Sequence, residues 1–135
     1  MVREKLVIHA DGASRGNPGE AAIGATLKDG GKVLSTISQR IGRATNNQAE
    51  YRALIAALEE AVRLDARTVE IFLDSELLVR QLNGAYRVKN AGLKPLYHKV
   101  MNLATLFNGF KVTHVPRRKN SRADALANKA FDDNK

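Results

Sequence analysis

Short apolar runs alternate with clusters of turn formers along the chain, and the change in their spacing predicts a mixed sheet with helices on it. Residues 5–11, Lys-Leu-Val-Ile-His-Ala-Asp, read as a strand that ends on an acidic residue followed by Gly12. Residues 13–19 are dense in turn formers, and residues 21–28 and 32–41 then make two runs separated by Asp29-Gly30-Gly31, so three sequential antiparallel strands are expected. From 46 to 64 the period changes to that of a helix, with Ala49, Ala53, Leu54, Ala57, Leu58 and Ala61 on one side and Thr45 or Asn46 as cap. Residues 68–74 form another strand ending in an aspartate, and Ser75 caps a short helix through Leu82, stopped by Asn83-Gly84. A helix over 93–107, a last strand over 110–115 closed by Pro116, a basic loop over 117–122 and a final helix opened by Ser121 or Arg122 complete the order. Residues 132–135 read as a polar tail on a single domain of residues 1–131.

Composition narrows the class. The 135 residues are 44% hydrophobic and 27% charged, which suits one packed domain and excludes collagen-like and disordered chains. No apolar run approaches the roughly 18 residues of a membrane span, and Val2-Arg3-Glu4-Lys5 does not begin a signal-peptide core, so a cytoplasmic monomer without membrane contact is expected. The chain has no cysteine, which removes disulfides, thiolate metal sites and thiol nucleophiles together. Its net charge of +8 is unevenly spread: between Leu77 and Ala123 there are ten basic residues and no acidic one. Such a stretch points to a polyanionic partner.

Against this basic background four acids stand out: Asp11 and Asp74 after hydrophobic strands, Glu50 in the first turns of the long helix, and Asp124 in the first turn of the last. Any one of them alone reads as a cap or turn residue. Together they read as a cluster, because carboxylates this close repel and raise one another's pKa unless a cation lies between them. Hard oxygen donors select Mg²⁺ or Mn²⁺, and a basic protein built around such ions suits phosphodiester cleavage, in which two ions roughly 3.5–4 Å apart clamp the attacking and leaving oxygens.

The motifs carrying these acids are Asp11-Gly12-Ala13-Ser14-Arg15-Gly16-Asn17-Pro18-Gly19, Thr45-Asn46-Asn47-Gln48-Ala49-Glu50, Leu73-Asp74-Ser75 and Asn120-Ser121-Arg122-Ala123-Asp124-Ala125-Leu126-Ala127. In this order the chain resembles type 1 ribonuclease H over nearly its whole length. The resemblance implies a ribonuclease H-like α/β fold with a five-stranded mixed sheet of order 3-2-1-4-5. It also implies hydrolysis of the RNA strand of RNA/DNA hybrids, leaving 5′-phosphate and 3′-hydroxyl ends. Position by position, Asp11 resembles the carboxylate shared by two metal ions, with Asp74 and Glu50 on one ion and Asp124 on the other. Gly12, Ser14 and Asn17 correspond to the turn that meets nucleic acid, and Asn46, Asn47 and Glu76 to positions reading the minor groove and the 2′-hydroxyls that separate RNA from DNA.

The chain departs from the family pattern in three places. Glu76 stands where a glutamine is expected. His114, ten residues before Asp124, resembles the histidine that assists water activation or product release, yet Val115-Pro116-Arg117-Arg118 follows it instead of a glycine-rich loop, so Arg117 or Arg118 is the alternative. The basic helix and loop that many relatives insert after the third acid are missing. That resembles a shorter archaeal and actinobacterial branch, some of whose members also accept duplex RNA, and it leaves phosphate contacts to Lys89, Lys94, Lys99 and the 117–122 loop. The rival readings are a non-cleaving binding module, disfavoured by the four intact acids, and a DNA nuclease or resolvase of the same superfamily, disfavoured by Asn46-Asn47.

Overall fold

The computed structural model describes residues 2–132. Strands β1 (Arg3–Gly16), β2 (Gly19–Asp29) and β3 (Lys32–Ala44) lead into helix α1 (Asn46–Arg63). Then follow β4 (Ala66–Leu73), α2 (Glu76–Leu82), α3 (Lys94–Ala104), β5 (Gly109–His114), a 3₁₀ turn over Arg117–Asn120 and α4 (Ser121–Asp132). The strands make one mixed sheet in the order β3-β2-β1-β4-β5, as the resemblance implies. β1, β2 and β3 pair antiparallel in sequence, whereas β4 pairs parallel to β1 and β5 parallel to β4.

The period of two along the strands assigns the helices to faces. Leu6, Ile8 and Ala10 of β1, with Ile23, Ala25 and Leu27 of β2, pack into the main core with Tyr51, Leu54 and Leu58 of α1. Ala22 faces the other way, against Ala130 and Phe131 of α4. Two glycines at positive φ, Gly30 (57°) and Gly31 (86°), close the two-residue β2–β3 turn, the geometry a type I′ hairpin requires. At the start of α1, Thr45 and Gln48 form a reciprocal capping box, so Thr45 is the cap. Tyr51, fully buried, donates from its hydroxyl to Gln81 Oε1 at 2.6 Å and fastens α1 to α2 beside Glu50.

Several expected boundaries are corrected. β1 does not stop at Asp11 but continues to Gly16, because its continuation pairs with β2 from Gly12↔Ile23 to Gly16↔Gly19. The turn formers of 13–19 thus lie mostly in strand, and Asp11 is a mid-strand residue. What ends there is the β1–β4 ladder, whose last pair is His9↔Phe72. The helix expected over 93–107 is confined to Lys94–Ala104, and the basic loop contains a 3₁₀ turn running straight into α4 at Ser121. Asp132, expected to begin the tail, is the last residue of α4, and 133–135 lie outside the described residues.

Candidate active site

The four acids reach one cleft from four elements. Asp11 projects from β1 where β4 parts from it, Asp74 follows the end of β4, Glu50 lies in the first turns of α1, and Asp124 lies in the first turn of α4. A depression of about 370 Å³ at the carboxyl ends of the parallel strands is lined by all four, together with Gly12, Ala13, Ser14, Asn46 and Arg117. One carboxylate oxygen from each of Asp11, Glu50 and Asp74 lies within 4.8 Å of the other two. Asp124 is outside that trio but lines the same cleft and adds to the upward shift of the Asp11 carboxyl.

Two glycines permit this closeness. A Cβ at Gly12 would fall 2.2 Å from the backbone carbon of Ala49, so the bare backbone lets β1 reach the turn of α1 that carries Glu50. Gly24, directly across from Asp11 on β2, plays the same part for α4: its Cβ would lie 2.2 Å from the carbonyl oxygen of Ala123 and 2.4 Å from the nitrogen of Ala127. Ser38 Oγ then fixes the helix to β3 by donating to Leu126 O at 2.6 Å. Gly24→Ala is therefore expected to lift α4, carry Asp124 away from Asp11, and cost about 1–3 kcal/mol as an overpacked contact. Urea unfolding checks this, and a stability within about 0.5 kcal/mol of wild type would show that α4 accommodates the methyl group.

Burial and mutual repulsion set the electrostatics. Asp11 is only 7% exposed, and its carboxyl is pushed up to about 8, first by burial and then by Asp74, the hydrogen bond with Asp124, and Glu50. Glu50 is pushed up to about 7 by burial and Asp74, while a hydrogen bond from the Ser75 side chain and the Arg117 charge work in the opposite direction. The cluster thus lacks enough positive charge to offset the burial and repulsion felt by Asp11 and Glu50. Closely spaced hard oxygen donors with unbalanced charge fit a divalent cation, and Asp11, Glu50 and Asp74 are the residues that would hold it.

Substrate candidates divide into two groups. Ser14 N donates to Asn46 Oδ1 at 2.9 Å, Ser14 Oγ to Ala44 O at 2.8 Å, and Asn46 N to Asn17 Oδ1 at 3.1 Å, so the turn and the α1 start form one rim. Gly12, Ser14, Asn17, Asn46 and Arg117 therefore belong to the cleft or its edge. Asn47, Glu76, His114 and Arg118 do not line it. Glu76 is exposed and paired with Arg80 at 2.8 Å. His114 is exposed at the end of β5, in register with Leu73 and thus one residue from Asp74, while Arg117 is the cation that lines the cleft. Sequence reasoning gives Ser75 only its place as the cap of α2 and assigns no role to Gly24 or Asn120; Ser75 and Asn120 lie inside the motifs that carry the acids, whereas Gly24 lies between motifs and leaves no local signal.

A family model described as reverse transcriptase-like matches residues 9–130. Ribonuclease HI of Halobacterium salinarum is 50% identical over an alignment of 129 residues, covering 93% of this chain and 65% of that protein. The crystal structure of the RNase H1 from the same organism superposes with a TM-score of 0.93 at 48% identity, covering 96% of this chain and 98% of that one. The chain belongs to the ribonuclease H family. A ribonuclease H1 solved in complex with an RNA/DNA hybrid, 42% identical, gives a TM-score of 0.88 over 95% of this chain and 97% of its own. Mycobacterium tuberculosis proteins 48% identical to this ribonuclease H domain over 130 residues are longer, and the chain spans 36% of their length.

Proposed function

We propose that the chain is an endoribonuclease that hydrolyses the RNA strand of RNA/DNA hybrids with two Mg²⁺ or Mn²⁺ ions. The observation that carries this reading is the convergence of Asp11, Glu50 and Asp74 within 4.8 Å in a cleft rimmed by Ser14 and Asn46. In this reading Asp11 is shared between the ions, Glu50 and Asp74 complete one site, and Asp124 serves the other. Ions held by these residues would supply positive charge against the scissile phosphate and its developing oxyanions. The protein's own groups orient the strand. The rim of Gly12, Ser14, Asn17 and Asn46 meets the RNA, with Asn47 next to it on α1 and Glu76 farther out at the start of α2. Arg117 and Arg118 take phosphates, and because Arg117 lines the cleft and His114 does not, the loop is favoured over the histidine as the group that assists turnover.

The relative solved in complex with an RNA/DNA hybrid supports the same substrate here. Labelled RNA/DNA, RNA/RNA and DNA/DNA duplexes incubated with Mg²⁺ or Mn²⁺ test the reading. Cleavage of the RNA in the hybrid, with 5′-phosphate and 3′-hydroxyl ends, is the expected result, and duplex RNA is the second substrate to appear. Binding of the hybrid without cleavage in either metal would leave a binding module in its place.

A further inference from the structure

The ladder between β1 and β4 stops at His9 and Phe72, one residue before Ala10 and Leu73, so the main chains that deliver Asp11 and Asp74 have already separated where the acids emerge. A side chain crosses the gap. Asn120, the last residue of the 3₁₀ turn and 1% exposed, donates from Nδ2 to Ala10 O at 2.9 Å and to Asp74 Oδ2 at 3.2 Å. A backbone carbonyl and a carboxylate oxygen both accept, so the amide nitrogen must face them, and the side chain has one admissible orientation. Its Oδ1 is then left buried with no hydrogen-bond partner. An interior selected for packing alone would not keep an amide with an unanswered acceptor. What singles out asparagine here is the work of its NH₂ group.

We propose that Asn120 is a positioning residue for the acidic cluster, tying the carbonyl that precedes Asp11 to the carboxylate of Asp74 and so fixing two acids from separate strands at a spacing a divalent cation can bridge. With Oδ2 held, rotation of the Asp74 carboxylate is restrained. The same turn carries Arg117 at its other end and passes directly into α4, which bears Asp124, so one amide registers the whole loop against the strand ends. The inference rests on reading Asp11, Glu50 and Asp74 as cation ligands, and it assigns Asn120 no contact with the ion or with nucleic acid.

Calorimetric titration of the full chain with Mn²⁺ alone, without nucleic acid, tests it, accompanied by a thermal melt of the metal-free protein. Asn120→Ala is expected to weaken Mn²⁺ binding by about 10–100-fold, the usual effect of removing a group that orients a ligand, while remaining folded at the titration temperature. If it is unfolded there, Asn120→Leu, which keeps the volume and offers no donor, is titrated instead with the same expectation. A variant whose melting point falls but whose Mn²⁺ affinity stays within about twofold of wild type overturns the proposal and makes Asn120 a loop anchor only. Absence of Mn²⁺ binding by the wild type overturns the cation reading itself and this inference with it, a result distinct from equal affinities.

Discussion

Asp11→Asn is expected to lower hybrid cleavage by at least about a hundredfold, the scale at which removing one electrostatic group from a reacting centre is felt, while the metal-free protein melts at the same temperature or higher. Both effects have one origin. Asp11 is nearly inaccessible to solvent and faces Glu50, Asp74 and Asp124, so the amide, of the same shape, relieves repulsion within the fold. The same change removes the central negative charge that a cation needs. Cleavage of a labelled hybrid and thermal melts with and without Mn²⁺ are the measurements, and the rise in melting temperature that Mn²⁺ gives the wild type should shrink in the variant. Activity above a tenth of wild type would take Asp11 out of its role.

The metal-free protein should lose stability as pH rises from 6.5 to 9, against the usual behaviour of a carboxylate that is paired in the fold. Asp11, raised to about 8, and Glu50, raised to about 7, keep protons in the folded state that the unfolded chain releases near pH 4. A native state that binds more protons than the unfolded one is favoured by acid, so this stability is complete below the unfolded pKa and is lost as pH passes through the folded values. His9 acts in the opposite sense, since burial and Lys28 lower its pKa, and its contribution disappears only below its ordinary value of 6.5. Starting at pH 6.5 separates the two. A fall of about 5–10 °C in melting temperature is expected by pH 9. Mg²⁺ should reverse most of it, since binding favours the ionised acids. A flat profile without metal would mean that the acids are already ionised at pH 6.5.

The acids were legible from sequence because each stands in a motif of polar and turn-forming residues beside a periodic apolar run, and helix α1 was legible because its apolar positions repeat with helical spacing over 18 residues. The course of β1 was not. Local composition favours a turn after Asp11, but β2 offers those residues a full antiparallel partner, and pairing overrides propensity. The division of substrate candidates into a rim at Ser14, Asn17 and Asn46 and outlying positions at Glu76 and His114 depends on where α2 and β5 leave the sheet, which no motif encodes. Asn120 was readable as part of a motif but not in its role, because its partners Ala10 and Asp74 are 110 and 46 residues away.

Asp124 reaches the cleft on a 12-residue helix held to the sheet through Gly24 and Ser38, and the contacts of its Ala130 and Phe131 with Ala22 lie outside the main core. A layer packed as a cluster separate from the main core can open as its own unit, at a free energy below that of global unfolding. Release of α4 would withdraw one acid while leaving Asp11, Glu50 and Asp74 on the undisturbed core. Opening of that layer alone would then act as a gate on the chemistry, so that heat inactivation precedes denaturation.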